Sequence, residues 1–328
     1  MSSSIILSRT PFRLPLGGGS TDLPSYYKKH GGFIFAVTID LYMDVLIKQT
    51  RADDLINVHY KSFEGVPRVD QIEHPLAREA LKMTGIKKGV SISFKADTPA
   101  GTGLGSSGAC SVALLKGLSL YAGREMSQRK AAEKSFEMTQ ALGLPDGVQD
   151  PYVCAHGGFV LLDIEKDGTV SVRKPRIAAK TVQHFFNNCL FYYTGVARES
   201  KHILAEQDAR KVLELKHHIK GIGREVYRAF RRGELDAFGE LMHEHWNVKK
   251  AMSLKMTSDS FDEIYDSARR VGALGGKILG AGGGGYFIFY CPSERKKQAV
   301  RRALARFGMR EMNFSLDTKG ARAKILAL

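Results

Sequence analysis

The stretch Pro99-Ala100-Gly101-Thr102-Gly103-Leu104-Gly105-Ser106-Ser107-Gly108-Ala109 decides the local fold and the chemistry of this chain. It follows a strand predicted at 90–95, where apolar and polar residues alternate, and it runs into a helix predicted over 107–122. Glycine allows positive φ angles and close approach of a ligand, so successive amide N–H groups can point into one concavity. The helix start adds the positive end of its dipole. The stretch therefore predicts a site for an anion such as phosphate, with an ordinary glycine-rich turn as the alternative.

Three common phosphate-binding loops fit this stretch poorly. A Walker A loop needs a lysine before its Ser or Thr, and Gly105 stands before Ser106. A protein-kinase glycine loop comes with His-Arg-Asp and Asp-Phe-Gly segments, and the sequence contains neither. A Rossmann loop is expected near the start of a βαβ unit, which this chain matches poorly. The stretch therefore points to another class of nucleotide-binding protein.

Strands dominate the first half of the chain and helices the second. Strands are predicted at 33–39 and 42–48 with Asp40 as a turn between them, and a short helix is predicted after Asp22. A hairpin is predicted over 159–174. Beyond residue 178, a strand at 189–193 precedes long helices at about 198–231, 234–250 and 258–271, a glycine cluster, a strand and a last helix. This order predicts an α+β fold with one domain at 1–178 and a second at 179–328.

Composition indicates a folded protein outside the membrane. The 328 residues are 43% hydrophobic and 25% charged, and no apolar run approaches the roughly 18 residues of a membrane span. The N-terminus lacks the features of a secretory signal, and four widely spaced cysteines suggest reduced core thiols, so we expect a cytoplasmic protein. Lys and Arg (49) outnumber Asp and Glu (34), and the net charge of +15 favours anionic ligands without selecting one.

Two further segments accompany the glycine stretch, in order along the chain. Arg9-Thr10-Pro11-Phe12-Arg13-Leu14-Pro15-Leu16-Gly17-Gly18-Gly19-Ser20-Thr21-Asp22 lies near the N-terminus, and Lys277-Ile278-Leu279-Gly280-Ala281-Gly282-Gly283-Gly284-Gly285 precedes the last strand. Together the three segments resemble the motifs of the GHMP kinase family, and they span nearly the whole chain. The resemblance implies an ATP-dependent kinase with an N-terminal ribosomal S5 domain 2-like, ATP-binding domain and a C-terminal ferredoxin-like α/β domain.

The resemblance also assigns the nucleotide and its metal ion. In the family, the glycine loop wraps the phosphates of ATP, which implies ATP binding by Pro99, Gly101, Thr102, Gly103, Leu104, Gly105, Ser106, Ser107 and Gly108. Mg²⁺ is held there by the second serine of the loop and by a carboxylate on the following helix. These positions map to Ser107 and Glu137, with Glu133 as the rival. Mg²⁺ prefers oxygen ligands and needs only one or two protein groups, which suits both assignments.

The catalytic residues follow from the segment Gly143-Leu144-Pro145-Asp146-Gly147-Val148-Gln149-Asp150, which resembles the family's Gly-x-Gln-Asp loop. Asp150 takes the place of the residue that orients and deprotonates the acceptor hydroxyl. Arg13 is the cation expected to balance Asp150 and to contact the transferred phosphoryl group. Asp146 is interpreted as structural. A turn residue before Pro151 is the alternative role for Asp150.

The acceptor is expected to contact the first and third motifs. The resemblance implies substrate binding by Gly18, Gly19, Thr21, Asp22, Gly282 and Gly283. Asp22 is the leading candidate for specificity, because the matching aspartate in related sugar kinases binds sugar hydroxyls. A helix N-cap is the alternative role of Asp22.

A finer resemblance rests on residues along the whole chain: Arg13 through Asp22, Leu23-Pro24, Tyr27, Gly31-Gly32, Gln149-Asp150, Tyr193-Thr194-Gly195 with Arg198, and Glu244-His245-Trp246 with Lys249-Lys250. Within the family, these residues look most like those of the D-glycero-D-manno-heptose 7-phosphate kinases. That likeness implies phosphorylation of the anomeric hydroxyl. Arg198 and Lys201 are candidates for binding the 7-phosphate.

The sequence departs from this branch in Gly17-Gly18-Gly19-Ser20-Thr21-Asp22, where the branch usually has Ala-Gly-Gly-Gly-Thr-Asp, and at Pro15 and Pro151. Fucose, galactose, a uronic acid or a non-sugar alcohol therefore remain open as acceptors. A small-molecule substrate is expected, with neither nucleic acid nor membrane as a partner, and the oligomeric state stays open, a homodimer included.

Two other classes of protein compete with a kinase. A nucleic-acid-binding protein would suit the net charge, but it predicts basic residues interleaved with exposed aromatic residues, and no compact stretch of that kind occurs. A sugar or nucleotide sensor would keep the fold without catalysis. It is disfavoured because Arg13, Ser107, Glu137 and Asp150 are all present.

Overall fold

The first layer is a mostly antiparallel sheet built on two long strands. A computed structural model describes residues 4–197 and 212–326. Its eight-stranded sheet has the order β12-β1-β2-β5-β3-β4, while β6 pairs with the other half of β2 and β7 pairs with β6. The strands of this sheet are β1 (Ile5–Gly17), β2 (Gly32–Gln49), β3 (Ile56–His59), β4 (Phe63–Val66), β5 (Val90–Ala96), β6 (Phe159–Ile164), β7 (Val170–Arg173) and β12 (Arg322–Leu326). The predicted hairpin at 159–174 is confirmed as β6 and β7.

The residues predicted as two strands around Asp40 form one strand, so the predicted turn is wrong. Strand β2 runs without a break from Gly32 to Gln49. The carboxylate of Asp40 accepts hydrogen bonds from the backbone N–H and the hydroxyl of Ser315, and the Asp40 N–H donates to the Ser315 carbonyl. Asp40 therefore binds a distant segment instead of folding back on its own neighbours. The pairing of β2 with β1 shifts register between Pro11 and Arg13.

Several helices belong to the same layer as this sheet. They are α1 (Pro24–His30), α2 (Pro75–Thr84), α3 (Ser106–Tyr121), α4 (Gln128–Ala141) and α5 (Gln149–His156). Helices α3 and α5 pack directly on the strands of the sheet. Helix α3 is the central one, since its residues from Gly108 to Ser119 are buried and it packs on β1 and β2. Gly117 permits the contact, because a Cβ there would lie 2.9 Å from the Cβ of Ser8 on β1. The sheet thus fixes the axis of the helix that follows the glycine loop.

The second layer is a four-stranded antiparallel sheet of order β11-β8-β10-β9. Its strands and the remaining helices are α6 (Ala179–Asn188), β8 (Cys189–Tyr193), α7 (Leu213–Arg232), α8 (Leu235–Met252), α9 (Asp259–Arg270), β9 (Gly275–Ile278), β10 (Tyr286–Tyr290), α10 (Glu294–Leu304) and β11 (Arg310–Met312). Short 3₁₀ turns occur at Val69–Gln71, Leu254–Met256 and Ala305–Phe307. The predicted long helices are therefore confirmed over the parts of them that the structure describes.

The two layers share one apolar junction. Phe230 on α7 contacts Phe35 of β2 and Phe185 of α6, with ring centroids 5.3 and 5.2 Å apart. Helix α7 also reaches the end of β1, where a Cβ on Gly17 would lie 2.7 Å from the Cα of Gly223. The last strand, β12, leaves the second layer and pairs with β1. The division at residue 178 stays a prediction, and the path of the chain adds that its end rejoins the first sheet.

All four cysteines are buried and free, as expected for core thiols. Among residues 4–197 and 212–326, no helix is both long and apolar enough to cross a membrane.

Candidate active site

A cavity of about 1550 Å³ lies where the three glycine segments meet. The cavity is lined by Tyr60, His74 and Phe94 from the first layer and by Lys249, Lys277 and Gly280 from the second layer. The glycine stretch contributes Gly101, Gly103, Gly105, Ser106 and Ser107 to the lining. The glycine stretch therefore faces a large cleft.

The glycine loop approaches the third motif through backbone contacts that only glycine permits. Gly103 and Gly105 have φ angles of 82° and 80°. A Cβ on Gly103 would lie 2.3 Å from the Leu279 carbonyl oxygen, and one on Gly280 would lie 2.6 Å from the Cα of Gly103. Helix α3 then begins at Ser106 with Gly105 as its N-cap, and no side chain caps it. Its first N–H groups and dipole therefore remain available to an anion in the cavity.

The structure brings Arg13 and Asp150 together. Arg13 Nε and Nη2 donate to Asp150 Oδ1 at 2.8 and 2.6 Å, and Arg13 Nη1 donates to the Gly103 carbonyl at 2.6 Å. The Arg13 side chain is 5% exposed and that of Asp150 is 25% exposed. Every hydrogen bond to the Asp150 carboxylate from residues 4–197 and 212–326 goes to Oδ1, including the long one from Gln149 Nε2. Asp150 Oδ2 is thus open to a ligand.

Two glycines set the distance between this ion pair and the phosphate loop. A Cβ on Gly105 would lie 3.2 Å from both Arg13 Nε and Asp150 Cγ. A Cβ on Gly108 would lie 2.7 Å from the Cβ of Asp150 and from Pro151 N. The starts of α3 and α5 therefore touch, and the Asp150 carboxylate stands beside the residues that would hold phosphate.

Asp22 is a buried residue that lines the cavity. Its Oδ2 accepts a hydrogen bond from the Gln149 N–H at 3.0 Å, and its carbonyl accepts one from Val148 N–H at 3.3 Å. Burial raises the pKa of Asp22 to about 6, an effect that the nearby Asp150 reinforces. The N-cap of α1 is Leu23, with no side-chain hydrogen bond, so the alternative role of Asp22 as a helix cap is not observed.

Asp146, interpreted from the sequence as structural, also lines the cavity. Burial raises its pKa to about 6, with a further contribution from Asp150, while a hydrogen bond from the Ser107 side chain opposes the rise. Asp146 and Ser107 therefore place a carboxylate and a hydroxyl side by side at the start of α3. The sequence pointed to Asp146 only through its position between Gly143 and Asp150. The sequence did not predict the conformation of this loop, so it could not show that the Asp146 carboxylate faces the cavity.

The structure does not bring Glu137 into the cavity, which corrects the predicted placement of the metal carboxylate. Glu137 Oε2 accepts a hydrogen bond from Lys134 at 2.5 Å, and its side chain is 53% exposed. Its rival Glu133 pairs with Arg129 and Lys130 on the same helix. The apolar face of α4 that includes Ala132 and Met138 packs inward, so both glutamates lie on its outer side.

The other predicted residues that the structure describes lie in the wall of the cavity or next to it. Thr21 is fully buried and its hydroxyl donates to the carbonyls of Gly18 and Phe33, while Gly19 lines the cavity. The Thr102 hydroxyl donates to the Pro99 carbonyl, and the Leu104 carbonyl accepts from Arg13 N–H. Gly282 and Gly283 pack against Met256 and are not cavity-lining residues. Arg198 and Lys201 lie outside the described residues.

Two groups of cavity residues were missed from the sequence. His74 stacks on Phe94 with ring centroids 4.8 Å apart, and Tyr60 meets His74 edge-on at 4.9 Å. The second group is His245, Lys249 and Lys277. Its sequence signals were the position of Lys277 at the start of the third motif and the spacing of His245 and Lys249, four positions apart on a predicted helix and therefore on one face.

The raised pKa of Asp22 predicts a pH-dependent stability. Between pH 4 and 6 the folded protein holds a proton on Asp22 that the unfolded chain releases, so this group's stabilising contribution falls as the pH rises. In metal-free buffer, Asp22→Asn should gain stability relative to the parent by up to about 3 kcal/mol between pH 4 and pH 7. Urea unfolding at each pH measures the difference. Asp266→Asn, on the exposed face of α9, controls for the loss of one charge, and a pH-independent difference for Asp22→Asn would contradict the assignment.

Comparison with known proteins agrees with this arrangement. The family described as GHMP kinases N terminal domain matches residues 73–158, and GHMP kinases C terminal matches 226–309. D-glycero-alpha-D-manno-heptose 7-phosphate kinase from Campylobacter jejuni is 27% identical over 97% of this chain and 98% of its own length. Mevalonate kinase from Thermococcus onnurineus is 30% identical over 75% of this chain and 72% of its own length.

A solved structure shows the same fold over the full length. The crystal structure of a D-glycero-D-manno-heptose 1-phosphate kinase from Bacteroides thetaiotaomicron superposes with a TM-score of 0.82, at 25% identity, covering 98% of this chain and all of that one. The predicted family, α+β fold and enzyme class are confirmed by these matches. The chain belongs to the GHMP kinase family, whose members take their phosphoryl group from ATP.

Proposed function

We propose that the protein transfers the γ-phosphate of ATP to the anomeric hydroxyl of a sugar phosphate. The proposed acceptor is D-glycero-D-manno-heptose 7-phosphate, and the product is the 1,7-bisphosphate. The observation that carries the kinase assignment is the Arg13–Asp150 ion pair in contact with Gly105 at the start of α3. The choice of acceptor rests on the similarity to the heptose 7-phosphate kinase, which extends over nearly the full length of both chains.

The cavity offers each part of ATP a suitable surface. The loop from Gly101 to Ser107 and the uncapped start of α3 would bind the triphosphate through backbone N–H groups. The rings of Tyr60, His74 and Phe94 would hold the base, because flat apolar rings suit a nucleobase. This orientation directs the γ-phosphate toward Asp150.

Asp150 is the proposed general base. Its open Oδ2 accepts the proton of the acceptor hydroxyl as the new bond to the γ-phosphorus forms and the bond to the β,γ-bridging oxygen breaks, releasing ADP. Arg13 fixes the carboxylate by binding Oδ1 and places a positive charge beside the transferred group. Asp22, Gly19 and Gln149 line the region next to this pair and would contact the sugar.

Mg²⁺ is the proposed metal ion, with Ser107 and Asp146 as its protein ligands. The Ser107 hydroxyl and the Asp146 carboxylate both line the cavity as hard oxygen donors, and Mg²⁺ needs few of them because it keeps waters and binds phosphate oxygens. When bound, the ion neutralises charge on the phosphates during transfer. Asp146 thereby replaces Glu137, whose carboxylate is occupied by Lys134.

Asp150→Asn tests the catalytic role. It should lower kcat by roughly 10²- to 10⁴-fold through loss of the base, while the Kd for ATP stays within about twofold. Coupled ADP release gives kcat, and titration calorimetry gives the Kd. Asp44→Asn is the matched control, because Asp44 forms a bidentate ion pair with Arg9 on the same strand as Arg13, outside the cavity. Near-normal turnover by Asp150→Asn would remove Asp150 from the chemistry.

Substitution of the proposed ligands tests the metal site. Asp146→Asn and Ser107→Ala should each raise the Mg²⁺ concentration for half-maximal turnover by roughly 10-fold or more, as one of few protein ligands is lost. Mn²⁺ binding in the presence of ATP, followed by electron paramagnetic resonance, gives a readout independent of turnover. Glu137→Gln should behave as the parent. If Glu137→Gln weakens Mn²⁺ binding and Asp146→Asn does not, the helix carboxylate is the ligand after all.

An acceptor screen tests the substrate. Under a coupled ADP-release assay, heptose 7-phosphate should give a kcat/KM at least about 10-fold above those of heptose, fucose, galactose and glucuronic acid, because none of the four carries the phosphate group that binding would use. Phosphorus NMR of the product should show an anomeric phosphate. A higher kcat/KM for fucose would instead favour the fucokinase activity that a Bacteroides fragilis relative has, a protein of which this chain covers 36% at 24% identity.

A further inference from the structure

Lys277 is a charged side chain buried in the wall of the catalytic cavity. It stands on β9 as the first residue of the third glycine segment, and is 2% exposed. Its Nζ donates to the Leu16 carbonyl at 3.0 Å and to His245 Nδ1 at 3.1 Å. Both partners are uncharged acceptors, and one ammonium can donate three hydrogen bonds. The third proton of Lys277 has no acceptor among the residues that the structure describes.

The surroundings of Lys277 are positively charged. Lys249 and Arg13 are its charged neighbours, and together with burial they hold the pKa of Lys277 well below its usual range. Arg13 is already balanced by Asp150. No carboxylate of the described chain pairs with Lys277, although buried charges in proteins are normally paired, since an unpaired one is strongly destabilising.

His245 adds a second unsatisfied group at the same place. It lies on α8, is 3% exposed and lines the cavity. A protonated Lys277 can only donate to Nδ1, which leaves the ring proton of His245 on Nε2, and this atom has no hydrogen-bond partner among the described residues. Buried donors without acceptors are rare in native proteins and indicate a missing ligand or water.

The position of Lys277 joins the acceptor side to the phosphate side. Its partner Leu16 directly precedes the segment Gly17–Asp22, where Gly19 and Asp22 line the cavity. One turn after His245, Lys249 donates to the carbonyl of Gly280, which touches Gly103 of the phosphate loop. The loop and the start of α3 already offer the triphosphate a binding surface, so Lys277 is available for a second anionic group.

We propose that Lys277, oriented by Leu16 and His245, binds the phosphate group that the acceptor sugar carries, with Lys249 as a second cation of the same subsite. This inference deepens the proposed function and rests on it for the identity of the acceptor. A phosphate monoester supplies the negative charge and the acceptor oxygens that this corner of the cavity lacks. A neutral sugar would leave Lys277 buried without a counter-charge.

The γ-phosphate of ATP has the same chemistry, so the experiment must separate the two sources. Titration calorimetry with inorganic phosphate is carried out on the protein saturated with the β,γ-imido analogue of ATP, which fills the γ position. We expect phosphate to bind this complex and Lys277→Met to weaken that binding by roughly 10- to 100-fold, the usual effect of losing a charge-assisted hydrogen bond. Phosphate that binds the ADP complex but not the analogue complex would place Lys277 at the γ position and overturn the proposal.

Kinetics give the second arm. Lys277→Met should raise the KM for the phosphorylated acceptor by a similar factor and leave the KM for ATP within about twofold. Lys116→Met is the matched control, since Lys116 is a buried lysine that donates to the Met126 carbonyl and lies outside this cavity. Equal KM values for Lys277→Met and the parent would also overturn the proposal.

Two further comparisons keep the result interpretable. Thermal unfolding checks that the variants fold, and Lys249→Met takes the place of Lys277→Met if the latter does not. Phosphate binding beside the ATP analogue without turnover of any sugar phosphate would reject the proposed acceptor and retain the subsite. Turnover of heptose 7-phosphate that is unaffected by Lys277→Met would retain the proposed acceptor and reject the subsite.

Discussion

The site depends on one buried arginine. The guanidinium of Arg13 donates hydrogen bonds to Asp150 and to the carbonyl of Gly103, and its backbone N–H donates to the carbonyl of Leu104. A single side chain thereby joins the first motif, the phosphate loop and the catalytic segment. Because Arg13 is almost fully buried, its charge needs Asp150 as a partner. The ion pair is thus a structural requirement of the cavity wall in addition to its proposed catalytic role, and this explains why three segments far apart in the chain meet at one point.

Backbone contacts bring the third motif to the same point. Gly103 and Gly280 lie so close that a side chain on either would collide with the other, and a Cβ on Gly285 would lie 2.1 Å from the Thr102 carbonyl oxygen. The second layer is therefore fixed on the phosphate loop by glycines, while aromatic packing around Phe230 fixes it at the opposite side. A cavity built this way has walls from both layers, and small changes in their separation would alter the distance between acceptor and phosphate. The positions of these glycines matter for geometry more than for flexibility.

Sequence reasoning succeeded where the signal was local. The glycine stretch, the helix after it and the pairing of Arg13 with Asp150 follow from short motifs whose spacing limits the backbone. It failed where a distant segment decides the outcome. Asp40 was predicted as a turn residue because its hydrogen-bond partner Ser315 is distant in sequence. Glu137 was predicted as a metal ligand because the sequence does not show which face of α4 packs inward. Asp146 and Lys277 were passed over for the same reason, since burial of a charge is a property of the fold and not of the residues around it in sequence.

The cavity contains both carboxylates and basic groups, and burial disfavours the charged form of each. Asp22 and Asp146 have raised pKa values, whereas Lys277 and His245 have lowered ones. Such pairs of environments are typical of functional sites, because protein stability gains nothing from them. A divalent cation next to Asp146 and an anion next to Lys277 would each restore the charged form of its neighbour. Ligand binding would then remove the electrostatic cost on both sides of the Arg13–Asp150 pair, so the empty site is the less stable state and substrate and metal ion should stabilise the fold together.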